Sequence, residues 1–161
     1  KFLVSRTPLI IRRRRNKPMH PVKIILAAFV ILETLNVVTL YLFPDSKYAN
    51  AIGIFNAWEK TKSDPEIHRF VKYLVNWVAG TKLIFIMLLI VIIHTADQPS
   101  LIFTSIALVF SIAPFYWRLL PILRKMDEDG QITPHNYSLA LGVMITVFIL
   151  FFIFGIGLSL G

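Results

Sequence analysis

The chain has 161 residues, of which 56% are hydrophobic and only 16% are charged. Soluble domains are usually about 45–50% apolar and about a quarter charged, and a water-soluble fold of this length cannot bury so many apolar side chains. The length suits one compact domain without a separate soluble catalytic domain. The absence of cysteine excludes disulfides, thiolate nucleophiles, iron–sulfur clusters and thiol oxidoreductase chemistry. We therefore expect an integral membrane protein.

Residues 1–20 form a basic tail in front of the first apolar segment. The net charge of the chain is +8, and its densest basic run is Arg12 to Arg15. Basic clusters directly before a hydrophobic helix are typical of contact with anionic lipid headgroups, whereas nucleic-acid binding needs no such neighbour. We expect no nucleic-acid partner and expect headgroup contacts from five residues: Arg12, Arg13, Arg14, Arg15 and Lys17.

Four long apolar segments follow and predict an all-α, four-helix transmembrane domain over residues 21–161. The helices are expected at about 22–43, 65–96, 99–129 and 134–160, with an interhelical loop at 44–64. Proline occupies or adjoins each expected start, where its missing amide removes no helical hydrogen bond. The shortest segment is about 33 Å long as a helix, which is enough to cross a hydrocarbon core of about 30 Å.

Two of these segments carry further features. Pro114 and Pro121 predict kinks in the third helix, and Gly130 is a suitable C-terminal cap for it. Within the long loop, residues 49–58 are mixed apolar and small, which indicates a short interfacial helix. Residues 126–132 are rich in acids, but Lys125 and Asn136 stand where a calcium loop needs acids. We interpret that stretch as a helix end with solvated charges.

The most informative polar residue is Glu33, which lies near the midpoint of the first helix. A carboxylate at that depth is costly and is usually turned inward, paired or protonated. Asn36 lies on the same helical face, and Lys82 on the second helix is offset from Glu33 by about 8 Å along the membrane normal. Long side chains can close that gap. The alternatives are a proton or cation site, a cofactor contact, or a packing acid beside a lysine that reaches outward.

His94 and Asp97 form a second candidate site at the end of the second helix. Their spacing suits a weak metal contact, a pigment ligand or a proton pair at a quinone site, but we favour an interfacial turn with Asp97 near the start of the third helix. The remaining histidines lie at helix ends or in loops, so we expect no bis-histidine haem. We also expect no metal site and no iron–sulfur cluster.

Small residues recur at helical spacing on two helices. Such faces let transmembrane helices approach closely, either within one chain or between subunits. The residues concerned are Ser138, Gly142 and Thr146 on the fourth helix, and Thr104, Ala107 and Ser111 on the third.

Three classes of function remain open. The first is a non-enzymatic subunit or assembly factor of a larger membrane complex, packing against other membrane subunits or against itself. The second is a small oligomeric transporter or channel for ions or protons that uses Glu33, Asn36 and Lys82. The third is a protein that binds lipid or quinone near His94 and Asp97. No hydrolase or nucleotide-binding motif is present, and we expect the protein not to be an enzyme.

The orientation in the bilayer is expected from charge and aromatic residues. Basic residues divide evenly between the two sides, but those of the tail are densely clustered. Aromatic residues collect at the opposite interface, on the side of the long loop. We expect a multi-pass protein with both termini on the cytoplasmic face, or on the equivalent interior face of an organelle.

Overall fold

The computed structural model describes residues 20–48 and 50–160. The headgroup contacts expected from Arg12, Arg13, Arg14, Arg15 and Lys17 lie outside the described residues, as does Ala49 at the start of the expected interfacial helix. In the described ranges the connections between helices contain one isolated antiparallel β-bridge, between Phe55 and Ile132.

Residues 20–48 and 50–160 contain seven α-helices and one short 3-10 turn. Four helical segments of these ranges are long and apolar enough to cross a membrane, and one of them, Gln98–Glu128, is made of three consecutive helices. The expected all-α four-helix membrane fold is confirmed. The helices are α1 (Pro21–Leu42), α2 (Asn56–Thr61), α3 (Pro65–Thr95), α4 (Gln98–Ile112), α5 (Pro114–Arg118), α6 (Leu120–Glu128) and α7 (Tyr137–Leu160), and the 3-10 turn is Ile52–Ile54.

Side-chain caps mark two of the helix starts. The Asp64 carboxylate accepts hydrogen bonds from the first free amides of α3, and Asp97 does the same for α4 through the amide of Ser100. The last helix departs from expectation because it begins at Tyr137 and not at Pro134. Asn136 has a φ of 64°, and this left-handed conformation ends any helix that would run from Pro134 into α7.

The third transmembrane span is broken twice. α4 ends at Ile112, just before Pro114, and Leu119 separates α5 from α6, just before Pro121. Proline lacks the amide that would continue the helical hydrogen-bond ladder, and its ring clashes with the preceding turn. The interruptions therefore fall where the sequence places proline.

α1 is the central helix of the bundle. It packs against α3 on one side and against α7 on the other, while α4 packs on α7 and α1. Within the membrane α3 packs mainly on α1, so it lies on the outside of the bundle with much of its surface exposed. The buried apolar core includes Leu26, Phe29, Val37, Ile86, Leu89, Leu108 and Phe152.

The two faces of the bundle differ. The tail side holds the ends Pro21, Thr95, Gln98 and Leu160, and the loop side holds the opposite ends. On the loop side, residues 44–48 and 50–64 fold over α6 and the start of α7 as a separate small layer, with Ile54, Leu123 and Ile132 buried in it. Helical structure in this layer is the 3-10 turn and α2, so it begins and ends later than the expected 49–58.

Candidate functional site

Glu33 and Lys82 lie at a similar depth in the bundle. Glu33 is about 18 Å along α1 from Pro21, and Lys82 is about 20 Å along α3 from Thr95, both measured from the tail side. A hydrocarbon core is about 30 Å thick. α1 and α3 run antiparallel side by side, so both distances are measured from the same side of the bundle. Both charged groups therefore lie near the middle of the membrane.

The two side chains form an ion pair. Lys82 Nζ donates to Glu33 Oε2 over 2.8 Å, and the side chains are 29% and 25% exposed. This distance is typical of a charge-assisted hydrogen bond. Among the contacts of residues 20–48 and 50–160, Nζ has this one hydrogen-bond acceptor and Glu33 Oε1 has no donor. An ammonium has three donors and a carboxylate has two acceptor oxygens, so part of the hydrogen-bonding capacity of the pair is unused.

Asn36 adds a third polar group one turn along α1 from Glu33. Its Oδ1 atom is buried and has no hydrogen-bond partner in the described part of the chain. A buried amide oxygen without a donor costs about 1–3 kcal/mol. The structure therefore places Asn36 on the same helix face as Glu33 without bringing it into the ion pair.

A shallow groove of about 520 Å³ adjoins Lys82 on the outer surface of α3. The Thr81 hydroxyl in this groove donates to the carbonyl of Trp77. Lys82 is the charged residue of the lining. All of its lining residues belong to α3, so the groove lies on the surface of that helix and presents the charge there. Its lining consists of Trp77, Val78, Thr81, Lys82 and Phe85.

The second candidate site is made of locally engaged residues. His94 Nδ1 lies 2.8 Å from the carbonyl of Ile90, one turn back in α3. Asp97 caps α4, and its hydrogen bonds to Ser100 lower the pKa of the Asp97 carboxyl. Both residues are exposed. Their contacts are those of an interhelical turn, and they add no support for a lipid or quinone site.

Two of the three small residues of α7 pack inside the bundle, and the third, Thr146, is exposed but contacts α5. Ser138 and Gly142 are buried, and a side chain at Gly142 would lie 3.6 Å from the Leu120 side chain of α6. The Thr146 hydroxyl lies 2.6 Å from the Tyr116 hydroxyl of α5. This face therefore serves contacts between helices of the same chain.

The small residues of α4 do not form its buried face. The hydroxyls of Thr104 and Ser111 bond to carbonyls of their own helix, and Ala107 and Ser111 are exposed. The buried face of α4 is formed instead by Leu101, Ser105 and Leu108.

Asp127 corrects the expectation that residues 126–132 carry only solvated charges. It is buried, with 4% of its surface exposed. Its carboxylate accepts hydrogen bonds from the Ser138 amide at 2.9 Å, the Ser138 hydroxyl at 2.7 Å and the Asn136 amide at 3.1 Å. It thus caps the start of α7 from α6. The spacing of Leu120, Leu123 and Asp127 on one helix face was the signal that this acid points inward.

The loop-side layer joins the ends of α1 and α3. The buried Trp58 of α2 donates from Nε1 to Asp45 Oδ1 over 2.6 Å, and Lys62 Nζ lies 2.9 Å from the same oxygen. These two contacts lower the pKa of the Asp45 carboxyl. On the other side, the Trp58 ring packs on His68 of α3 with 4.6 Å between ring centroids.

Within residues 20–48 and 50–160, no three His, Asp or Glu side chains are grouped so as to hold a metal ion. Comparison with protein-family models, with curated proteins and with solved structures finds no match to this chain. The membrane-spanning helices and the polar groups within them are therefore the observations from which function can be inferred.

Proposed function

We propose that this multi-pass membrane protein is a non-enzymatic subunit or assembly factor of a larger membrane complex. It packs against another transmembrane protein through its α1/α3 face, which we define by Glu33, Trp77, Thr81, Lys82 and Phe85. The observation that carries this proposal is the partly exposed ion pair at mid-membrane depth, since a quarter or more of each charged side chain is uncovered.

Lipid is a poor neighbour for this pair. Hydrocarbon offers no hydrogen bonds, and placing a charged side chain at the centre of a transmembrane helix costs about 2.5–3.5 kcal/mol even on insertion scales. Mutual attraction offsets part of that cost for Glu33 and Lys82, but an ion pair in a poor solvent needs its remaining donors and acceptors satisfied. A protein surface with polar groups at the same depth meets that need.

The position of α3 supports the same conclusion. This helix has 31 residues, and its outward side carries large exposed apolar side chains, with Trp77 at 63% and Ile84 at 66% exposure. The groove beside Lys82 offers space for side chains of a neighbouring helix. Helices in membranes associate through such packing and through interhelical hydrogen bonds, since apolar surface alone gives no preference over lipid.

A small ion or proton transporter is the alternative, and the unpartnered Asn36 Oδ1 favours it. A transport site needs polar groups that exchange partners, and Asn36 lies one turn from Glu33. Against this alternative, Glu33 and Lys82 neutralise each other, and the groove opens on the outer surface of α3 and not within the bundle.

Purification into lipid nanodiscs from the native membrane, followed by native mass spectrometry, tests the proposal. We expect the protein to carry at least one further polypeptide, and we expect that polypeptide to be lost from a variant combining Glu33→Gln and Lys82→Met. The matched control is Val147→Thr on α7, a polar change at an exposed position of similar depth, which should retain the partner. A single chain with lipid only would overturn the proposal, and ion flux in proteoliposomes that Glu33→Gln abolishes would favour the transporter.

A further inference from the structure

We propose that the protein covering the α1/α3 face is a second copy of this chain. In this parallel two-fold dimer, Lys82 of each copy would also bind Glu33 of the other. The inference rests on the proposed function and adds the identity of the polypeptide that packs on this face.

The charge of the face is self-complementary. One positive and one negative group lie 2.8 Å apart on the surface, so the face has no net charge but a strong local dipole. A two-fold axis along the membrane normal puts equivalent residues of both copies at equal depth and reverses the direction of that dipole in the membrane plane. Positive then meets negative twice, whereas a partner with a single charge would leave one group unpaired.

The donors of Lys82 and the acceptor oxygen of Glu33 that the ion pair leaves unused are also complementary between two copies. Lys82 Nζ makes one hydrogen bond with the part of the chain that the structure describes, and Glu33 Oε1 makes none. Each copy therefore has free donors and a free acceptor at one level. A reciprocal Lys82-to-Glu33 contact fills both without any further residue, while a different protein would need its own matched polar groups at that level.

The shape of α3 allows close approach at this level. Trp77, Thr81 and Phe85 follow one another at intervals of four residues and so share one face of the helix. The small Thr81 lies between the two aromatic residues and lines the groove with them. Small residues at an interface let helix backbones approach closely, and Thr81 is the smallest residue of this face, so it is the expected crossing point of the two α3 helices.

Disulfide cross-linking tests this geometry without background, because the chain has no cysteine. Thr81→Cys should form a disulfide-linked dimer in native membranes treated with a mild oxidant. Helix axes cross about 8–10 Å apart and Cα atoms lie about 2.3 Å from each axis, so Cα atoms facing each other at the crossing point come within the distance of about 7 Å that a disulfide can span. The control is Val147→Cys, which is 41% exposed on α7. It lies about 20 Å from the tail-side end of its helix, and Thr81 about 21 Å from that of α3.

The ion pair is tested in the same assay. Adding Glu33→Gln and Lys82→Met to the Thr81→Cys variant should lower the cross-linked fraction several-fold, because the reciprocal contacts are lost. The unmodified chain should show two copies in nanodiscs by single-molecule photobleaching of a C-terminal label. A Thr81→Cys variant that stays monomeric, or one that cross-links no better than Val147→Cys, would overturn the dimer.

The outcome also separates this inference from the proposed function. One copy bound to a different polypeptide would refute the dimer and leave the subunit proposal standing. One copy with lipid alone would refute both. Two copies that persist after both charges are replaced would refute the role given to the ion pair.

Discussion

Asp127 near the end of α6 accepts hydrogen bonds from both the backbone amide and the hydroxyl of Ser138 at the start of α7. The buried Asp127 carboxylate thus holds the start of the last transmembrane helix against α6. A hydrogen bond to a charged group is worth more than a neutral one, and removing it leaves buried donors unsatisfied.

The first prediction follows from that contact. Asp127→Ala should lower the free energy of unfolding by about 1–3 kcal/mol because two amides and one hydroxyl lose their acceptor. Asp129→Ala is the matched control: this acid forms an i,i+4 ion pair with Lys125 and is exposed, so its loss should cost no more than about 0.5 kcal/mol. Unfolding in mixed detergent micelles, followed by circular dichroism, measures both. Equal effects would show that Asp127 is not a cap.

The second prediction is a double-mutant cycle on the intramembrane pair. Glu33→Gln and Lys82→Met should each lower the thermal stability in detergent, because removing one partner leaves an uncompensated charge, at a typical cost of about 3–5 kcal/mol for buried pairs. The double variant should recover much of that loss. If the two effects simply add, the groups do not interact energetically.

A third prediction concerns orientation. With both termini on the interior face, a cysteine at Ser63 on the loop side should react with a membrane-impermeant thiol reagent added from outside. A cysteine at Ser100 on the tail side should react only after the membrane is permeabilised. Both serines are exposed. The opposite labelling pattern would contradict the expected topology.

A fourth prediction compares two glycines. A side chain at Gly53 would lie 2.5 Å from the backbone carbon and oxygen of Asp45, whereas one at Gly157 would meet nothing within 4 Å. Gly53→Ala should therefore loosen the loop-side layer and lower the unfolding temperature. Gly157→Ala, near the C-terminal end of α7, should leave the free energy of unfolding unchanged or raise it by up to about 1 kcal/mol, because alanine has the higher helix propensity. A harmless Gly53→Ala would show that the loop can move away from Asp45.

A fifth prediction concerns acid. The pKa of Asp45 is lowered from its ordinary value of 3.8 by hydrogen bonds from Trp58 and Lys62. A carboxyl whose folded pKa is lowered stabilises the fold above its unfolded pKa and loses that contribution as the pH falls through the folded pKa. The loop-side layer should therefore keep its Asp45 contacts at neutral pH and lose them below 3.8.

Trp58 reports on this change directly. The chain has three tryptophans, so Trp77→Phe with Trp117→Phe leaves Trp58 as the only one. Its emission should shift in the acid range in this background, and the shift should be absent when Asp45→Asn is added. An identical acid response with and without Asp45 would assign the change to another group.

The transmembrane helices follow from sequence because hydropathy and helix-starting prolines are local signals. For Glu33 and Lys82, helix rise predicted a depth offset of about 8 Å, within the reach of a lysine side chain, whereas their positions along α1 and α3 differ by only about 2 Å. The burial of Asp127 and the folding of residues 44–64 over α6 depend on contacts between distant segments. A single sequence shows charge there but not the partner that makes burial favourable. The small residues of α4 likewise do not predict which of its faces packs inward, because the buried face is that of Leu101, Ser105 and Leu108.

The separation of the two intramembrane charges along the chain has a consequence for biogenesis. Lys82 follows Glu33 by 49 residues, so α1 is synthesised before its counter-charge is. Until α3 packs beside α1, the acid has no cation partner, and an ionised carboxylate at mid-membrane is costly. The arrival of α3 offsets part of that cost. The stability of α1 in the bilayer therefore depends on a helix that follows it in the chain.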